Sequence, residues 1–341
     1  MIEDKVEIVI PTYNRDKYLD NTLNSLLNSP FKNCKITIRD NASPDNTPEI
    51  CEKYSSLFNN IHIIRNEKNI GGNANILRSY EQANYPYVWV LADNDMLNFD
   101  KCHDFIDAIE SEKYDLIICN SFKYGVKNNN NCYPTIDDEP ISEYIKREKG
   151  DGDNYLENTT QELASIIKQH YFTIACFIPS TIYKTSLIDT EVLINGSNFI
   201  SHSYPHFALI SKALNENLLT YKTQNDIVFL RENPNDAELD SDIEWFSRYL
   251  GCIPSINNKK LQYYAEKHGG HDLYYEIPAR IIYAKARDDP NLKNSVFEII
   301  ETMYQLRSLG LGLLYQIYIM IFYFTPKKIC KYYVKKVVSI N

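Results

Sequence analysis

The chain lacks any CxxC pair or Cys/His cluster. Its eight cysteines, Cys34, Cys51, Cys102, Cys119, Cys132, Cys176, Cys252 and Cys330, are scattered through 341 residues. That pattern excludes a zinc ribbon or a dithiol redox centre. No signal peptide precedes "VEIVIP" at residues 6–11, and a chain this long needs no disulfide staples, so a reducing cytosol is expected. No internal repeat is visible. Basic excess is missing too: the formal net charge is −9, which argues against a nucleic-acid partner. Acidic side chains stop at Glu301. Beyond it Arg307, Lys327, Lys328, Lys331, Lys335 and Lys336 add six positive charges, and set against the overall −9 they leave −15 on residues 1–301. An acidic body with a basic tail points to an anionic partner for the tail.

What is present is a globular composition, 44% hydrophobic and 24% charged, with enough length for a sizeable core. The first 121 residues alternate between strand and helix patterns. "VEIVIP", "KITIRD" (35–40), "IHIIRN" (61–66), "YVWVLA" (87–92) and "DLIICNS" (115–121) read as strands. Between them, "YLDNTLNSLLN" places Tyr18, Leu19, Thr22, Leu23, Leu26 and Leu27 on one helical face. "NTPEICEKYSSLF" is a helix with Pro48 near its start. "ANILRSYEQA" and "KCHDFIDAIES" complete the set. Repeated βα units predict a mostly parallel sheet flanked by helices. In such sheets ligands collect at the carboxyl ends of the strands.

Those ends carry "PTYNR" (11–15), "DNASPDN" (40–46), "NEKNIGGN" (66–73) and "ADND" (92–95). All four clusters are expected on one rim. The strand-like run Val88 to Ala92 leads straight into Asp93-Asn94-Asp95, either an ordinary solvated turn or a place that holds a cation. Carboxylates, amides, an arginine and glycines together make a kit for a nucleotide and a metal. "IGGN" has the wrong glycine spacing for a dinucleotide fingerprint.

In order and spacing, "VEIVIPTYNRDKYLDNTLNSLL", "ITIRDNASPDNT", "NIGGNANI" and "VWVLADND" resemble the opening of a family 2 glycosyltransferase with the GT-A fold. In particular they are similar to bacterial O-antigen and lipooligosaccharide sugar transferases of the abequosyltransferase type. The resemblance implies a Rossmann-like α/β domain with a C-terminal helical region. Its implied division is 1–124 for the nucleotide-sugar-binding half, 125–160 for a variable insert, 161–240 for the acceptor-side half and 241–341 for a helical region with the basic tail. It also implies a nucleotide-sugar donor and a divalent cation, Mn²⁺ or Mg²⁺, to offset charge on the leaving diphosphate. Asp95 falls where the family holds metal and is the implied catalytic acid of the set; Asp93 more often faces the ribose and donor sugar. Asn94 between them departs from versions with consecutive acids and leaves open which carboxylate binds metal. Pro11, Thr12, Tyr13 and Asn14 would bring backbone and an aromatic face to the base. Asp40, with Asn41 beside it, would accept from a pyrimidine N–H, or else cap its own loop. Asn69, Gly71, Gly72 and Asn73 would let the backbone approach the diphosphate.

An inverting transfer needs a general base, typically an Asp of the second lobe in this family. The matching region "SHSYPHFALI" (201–210) has no carboxylate. His206, with His202 nearby, is the candidate base, with metal ligation and a purely structural role as the other readings. Asp189 and Glu191 are weaker candidates. In the tail, "SLGLGLLYQIYIMIFYFTP" (308–326) is uncharged and "KKICKYYVKK" packs five lysines among aromatics. A spanning helix needs about 20 apolar residues. Gly310, Gly312 and Gln316 make an interfacial helix with lysines on anionic headgroups the better expectation; burial against the protein itself is the other. The expected whole is a metal-dependent inverting glycosyltransferase, peripheral on the cytoplasmic face of the cell membrane, acting on a lipid-linked or oligosaccharide acceptor. The rivals are a nucleotidyltransferase, for which "IPTYNRDKYL" lacks the basic Gly-rich loop, and a non-catalytic membrane-associated sugar-nucleotide-binding protein.

Overall fold

A computed structural model describes residues 1–99, 102–124, 159–163, 178–200, 205–216, 218–231, 247, 277–305 and 312–338. Most of the expected insert at 125–160, His202, most of 241–276 and residues 308–311 of the tail lie outside the described residues. The chain divides into two compact units, Met1–Ile200 with Pro205–Glu232, and Ser201–Tyr204 with Asn233–Asn341.

The first unit is built on a nine-stranded sheet. Its strands are β1 (Val6–Thr12), β2 (Lys35–Asp40), β3 (Ile61–Arg65), β4 (Tyr87–Val90), β5 (Met96–Leu97), β6 (Leu116–Tyr124), β7 (Thr159–Glu162), β8 (Thr181–Lys184) and β9 (Leu219–Arg231). The order is β3-β2-β1-β4-β8-β6-β9-β5, with β7 also on β9. Strands β1 to β4, β6 and β9 run one way; β5, β7 and β8 run the other. The four N-terminal strands are parallel because a helix returns the chain between each pair, α1 (Asp16–Leu27), α2 (Thr47–Leu57) and α3 (Gly72–Glu81).

Register assigns the faces. Ile8 and Ile10 lie beside Ile36 and Ile38, and this row packs against Leu19, Leu23 and Leu26 of α1 in the main core. The pleat turns Glu7, Val9, Lys35, Thr37 and Arg39 the other way. Trp89 of β4, fully buried, meets Phe31 and Phe105, each at 5.4 Å between ring centroids. Its indole N–H donates to the carbonyl of Pro179 at 2.8 Å. Phe105 belongs to α4 (His103–Glu110).

Periodicity located the first four strands to within two residues at each end. Four later strands escaped it, among them β7, whose first residues fall inside the expected insert at 125–160. β5 is two residues long, too short for any alternation to register. β8 hides within the long apolar string 162–188, and β9 begins at Leu219, ahead of the apolar run "IVFL" that signals it. The second unit contains α7 (Ile277–Arg287), α8 (Leu292–Gln305), α9 (Gly312–Phe324) and α10 (Lys327–Val338), while α5 (Thr190–Asn198) and α6 (Phe207–Asn215) belong to the first. Within the second unit Ile277, Ile281, Val296, Ile299, Ile319 and Cys330 are buried.

Candidate active site

The loops that leave β1, β2 and β3 are knitted together by side chains of the predicted clusters. From the β1 loop, the backbone N–H groups of Asn14, Arg15 and Asp16 donate to Ser43 Oγ (2.9 Å), Thr47 Oγ1 (3.1 Å) and Asp45 Oδ2 (3.1 Å) of the β2 loop. Asn41 joins the β2 loop to the β3 loop. Its backbone N–H reaches the Thr12 carbonyl at 2.9 Å, and its Nδ2 donates to Asn69 Oδ1 at 2.8 Å. Its Oδ1 accepts from Asn66 Nδ2 (2.9 Å) and from the Ile70 N–H (3.0 Å). Asn69 Oδ1 also accepts from the Gly71 N–H at 2.8 Å. The asparagines that looked like loop residues are therefore the cross-ties of the rim. Two rim residues have positive φ, Asn14 at 57° and Ala42 at 62°. Left-handed backbone at an alanine is strained by about 1–2 kcal/mol, and the surrounding bonds hold it.

Asp40 is 1% exposed. Its Oδ1 accepts from the Ser43 N–H at 3.0 Å, and Oδ2 pairs with Arg65, its register neighbour on β3. Arg65 also donates to the Ser43 carbonyl at 3.0 Å. Asp40 thus caps its own loop and carries an ion pair. Thr12 beside it is buried, and its hydroxyl has no hydrogen-bond partner among the described residues. Tyr13 differs from its neighbours in being 41% exposed on the rim.

The acids of "ADND" follow directly on β4, which pairs with β1. Asp93 and Asp95 are buried, and Asn94 between them is half-buried. Their backbone carbonyls both accept from the hydroxyl of Thr22 on α1, at 2.9 and 3.0 Å. Thr22 sits in an apolar helical stripe, so its helical spacing alone marked it as core; a hydroxyl among leucines was the available signal. Ser43, Asp45, Asn66 and Asn75 were likewise not singled out. Asp45 bridges two helix starts, accepting from Asp16 and Thr47 backbone N–H groups. Burial pushes its pKa up, but these bonds and the Thr47 hydroxyl outweigh that and hold it below the ordinary value.

At the start of α3, Gly71 has φ 91°, and a Cβ added at Gly71 or Gly72 would meet nothing within 4 Å. The backbone there faces open space, and the first turn has no side-chain cap. Such an N-terminus suits an anion. Asn73 instead reaches sideways, donating to the Ile200 carbonyl at 3.0 Å beyond α5. Helix α3 packs on α5, and α5 on α6. His206, immediately before α6, is fully buried, and its carbonyl accepts from Leu209 at 3.0 Å. Asp189 caps α5 through the Val192 N–H at 2.9 Å and pairs with Lys212. The lysine's hydrogen bond holds the Asp189 carboxyl below its usual range, which weakens it as a base.

Among the described residues, no three His, Cys, Asp or Glu side chains converge as a metal cage. Asp93 and Asp95 offer hard oxygen donors, and Mg²⁺ or Mn²⁺ is commonly held by one or two carboxylates completed by phosphates and water. The donor set fits such an ion. The cysteines of the described region are free; burial pushes the Cys34 and Cys51 thiols up to about 12, so neither is a reactive thiolate.

A family model described as "Glycosyl transferase family 2" matches residues 7–174, the stretch containing all four clusters. Through these residues the chain is similar to glycosyl transferase family 2. Among curated relatives, abequosyltransferase RfbV of Salmonella typhimurium is 28% identical over 218 residues, covering 62% of this chain and 61% of that protein. The match therefore leaves over a third of that relative's length without a counterpart. Solved structures that share the fold include the following two. Staphylococcus aureus TarS 1–349 in complex with UDP-GlcNAc has a TM-score of 0.57 at 16% identity, over 97% of this chain and 92% of that one. The mannosyltransferase PcManGT from Pyrobaculum calidifontis, in complex with GDP-Man and Mn²⁺, has a TM-score of 0.51 at 11% identity, over 93% and 84%. The α/β unit is a GT-A fold.

Proposed function

We propose that the chain is an inverting glycosyltransferase. It moves a sugar from a nucleoside-diphosphate donor to a hydroxyl of a surface-polysaccharide or lipooligosaccharide precursor. The observation that carries this reading is the rim at the carboxyl ends of β1 to β4, where the first three loops are bonded together and the turn bearing Asp93 and Asp95 is tethered through its backbone to α1, with an exposed aromatic and an open uncapped glycine backbone beside them. Tyr13 would stack on the base. Asn41 and Asn69 keep the "NIGGN" segment in place, so that the α3 N-terminus faces the diphosphate. Asp40 forms the floor of the base site, and Asn14 and Asn73 tie the rim to its surroundings.

Asp95 and Asp93 would hold a divalent cation, which when bound offsets negative charge on the departing diphosphate. The fold neighbour solved with GDP-Man and Mn²⁺ supports the presence of a divalent cation. Thr22 fixes the turn from which both acids project. His206 is the proposed base for the acceptor hydroxyl. Its burial requires that an acceptor reach it within hydrogen-bond distance, about 2.6–3.2 Å, or through one water. That burial, with no carboxylate in "SHSYPHFALI", favours a second reading, a donor-binding protein that has lost catalysis.

Release of nucleoside diphosphate, measured across UDP-, GDP-, CDP- and dTDP-sugars with and without Mn²⁺, separates the two. The transferase reading expects release that depends on acceptor and falls at least a hundredfold in Asp95→Asn, and far more loss of turnover than of donor binding in His206→Ala. Donor-induced thermal stabilisation without any release defeats it.

The second unit supports peripheral membrane attachment. Helix α9 has 13 residues, about 20 Å of rise, and among the described residues no helix is long and apolar enough to cross a membrane. Leu314, Ile317, Ile321 and Phe324 are exposed at three- and four-residue spacing along α9. On α10, Ile329, Tyr332 and Tyr333 are exposed among the lysines. An apolar face edged by cations suits an anionic bilayer surface. A lipid-linked acceptor would be met there.

A further inference from the structure

On the sheet face opposite Asp40, helix α3 leaves part of β1, β2 and β3 uncovered. A cleft of about 620 Å³ remains, whose wall includes Glu7, Lys35, Thr37, Arg39, His62 and Gln82. Small-molecule sites commonly fall within roughly 300–1,000 Å³. Its charges are unbalanced in a specific way. Glu7, 2% exposed, is already satisfied: it accepts from Thr37 Oγ1 at 2.7 Å, Lys35 Nζ at 3.0 Å and the Asn84 N–H at 3.2 Å. Arg39 is equally buried, at 2%, yet its partner is neutral. Nη1 donates to Gln82 Oε1 at 2.8 Å, and Nε has no acceptor. The nearby acid Glu81 pairs with Arg78 instead.

Buried charges are ordinarily paired, because desolvating a lone guanidinium is strongly unfavourable. Arg39 has the burial of a structural ion pair and, among the described residues, no anion bonded to it. Burial, with the charge of Arg78, lowers its pKa from the ordinary value, the same imbalance seen from the titration side. We propose that this cleft binds a small molecule through an oxyanion of the phosphate class, with Arg39 as the central ligand. A guanidinium fork matches phosphate oxygens two at a time. His62, the register neighbour of Thr37 on β3, adds a ring N–H donor along the same face. The site is distinct from the donor rim: Arg39 and Asp40 are consecutive on β2, and the pleat sends them to opposite faces.

The test is the melting temperature of the full chain in sodium phosphate against sodium chloride at matched pH and ionic strength. Wild type is expected to show a saturable rise with phosphate. Arg39→Met should keep an equal or higher melting temperature in chloride, since a lone buried charge is removed, and lose the rise. Gln82→Glu is an isosteric change at an exposed position. It places a carboxylate on the guanidinium, so it should raise the chloride melting temperature and abolish the phosphate response. This variant tests the site even where Arg39→Met fails to fold. Donor-sugar shifts should persist in it, which keeps this cleft separate from the glycosyltransferase reading. Absence of a saturable phosphate effect in wild type, or its survival in Gln82→Glu, overturns the site.

Discussion

Replacing Thr22 by valine exchanges the hydroxyl, and with it one donated proton, for a methyl of similar volume, at a residue 1% exposed. That proton is shared between the Asp93 and Asp95 carbonyls at 2.9 and 3.0 Å. A neutral hydrogen bond contributes about 0.5–1.5 kcal/mol net, and a buried acceptor that loses its donor costs about 1–3 kcal/mol. The expected destabilisation is about 2 kcal/mol, which in a domain of this size lowers the melting temperature by roughly 4–8 °C. The functional effect should be larger than that loss implies. Without the tether the turn relaxes, and displacement of a positioned group by about 1 Å can reduce turnover about a hundredfold. We expect Thr22→Val to release nucleoside diphosphate at least tenfold more slowly at saturating donor, at a temperature where the variant is folded. Thr22→Ser, which restores the hydroxyl, should recover most of it. A valine variant that melts early but turns over within twofold of wild type would refute the assignment of Thr22 to positioning.

Three further outcomes are expected. Tyr13→Ala should weaken donor binding by about 1–3 kcal/mol, the range for loss of an aromatic stacked on a base, with little change in melting temperature; calorimetric titration of donor reads both the site and the magnitude. Asp45 has a depressed folded pKa, so its stabilisation is fully present above the ordinary value of about 3.9 and is lost as pH falls through the lower folded value. Acid denaturation of Asp45→Asn should accordingly start from lower stability at neutral pH and fall less steeply below about pH 4, and equal acid limbs in both proteins would contradict the bonding described. Changing Lys331, Lys335 and Lys336 to glutamine should release the protein from anionic vesicles by about 1 kcal/mol per lysine, as read by flotation, and leave binding to neutral vesicles unchanged.

Local chemistry made the rim legible in the sequence. Strands β1 to β4 are short apolar runs, each ended by residues that favour turns, and parallel βα units put every such end on one edge of the sheet. The polar clusters from Pro11, Asp40, Asn66 and Ala92 were therefore bound to meet, whatever the details of packing. The same argument could not reach β5 or β8, because antiparallel additions to a sheet carry no periodic signature of their own when they are two to four residues long, and it found β9 only at its apolar stretch.

What each rim residue does depended on neighbours far away in the chain. Asp40 could have stood free for a ligand or capped its loop; register with Arg65 on β3 and the turn back to Ser43 engage both of its oxygens. Thr22 could have been one more packed side chain; the crossing of α1 beneath the "ADND" turn makes its hydroxyl a tether. Alternation along β2 was visible as "KITIRD", but only the incomplete covering of one sheet face by α3 leaves Arg39 buried beside a cleft. Periodicity and turn preference act over a few residues and so set the elements and their ends. Hydrogen-bond partners and desolvation arise between segments that are distant in sequence, and these decided which acids are committed, which backbone stays open and which charge is left without a counter-ion.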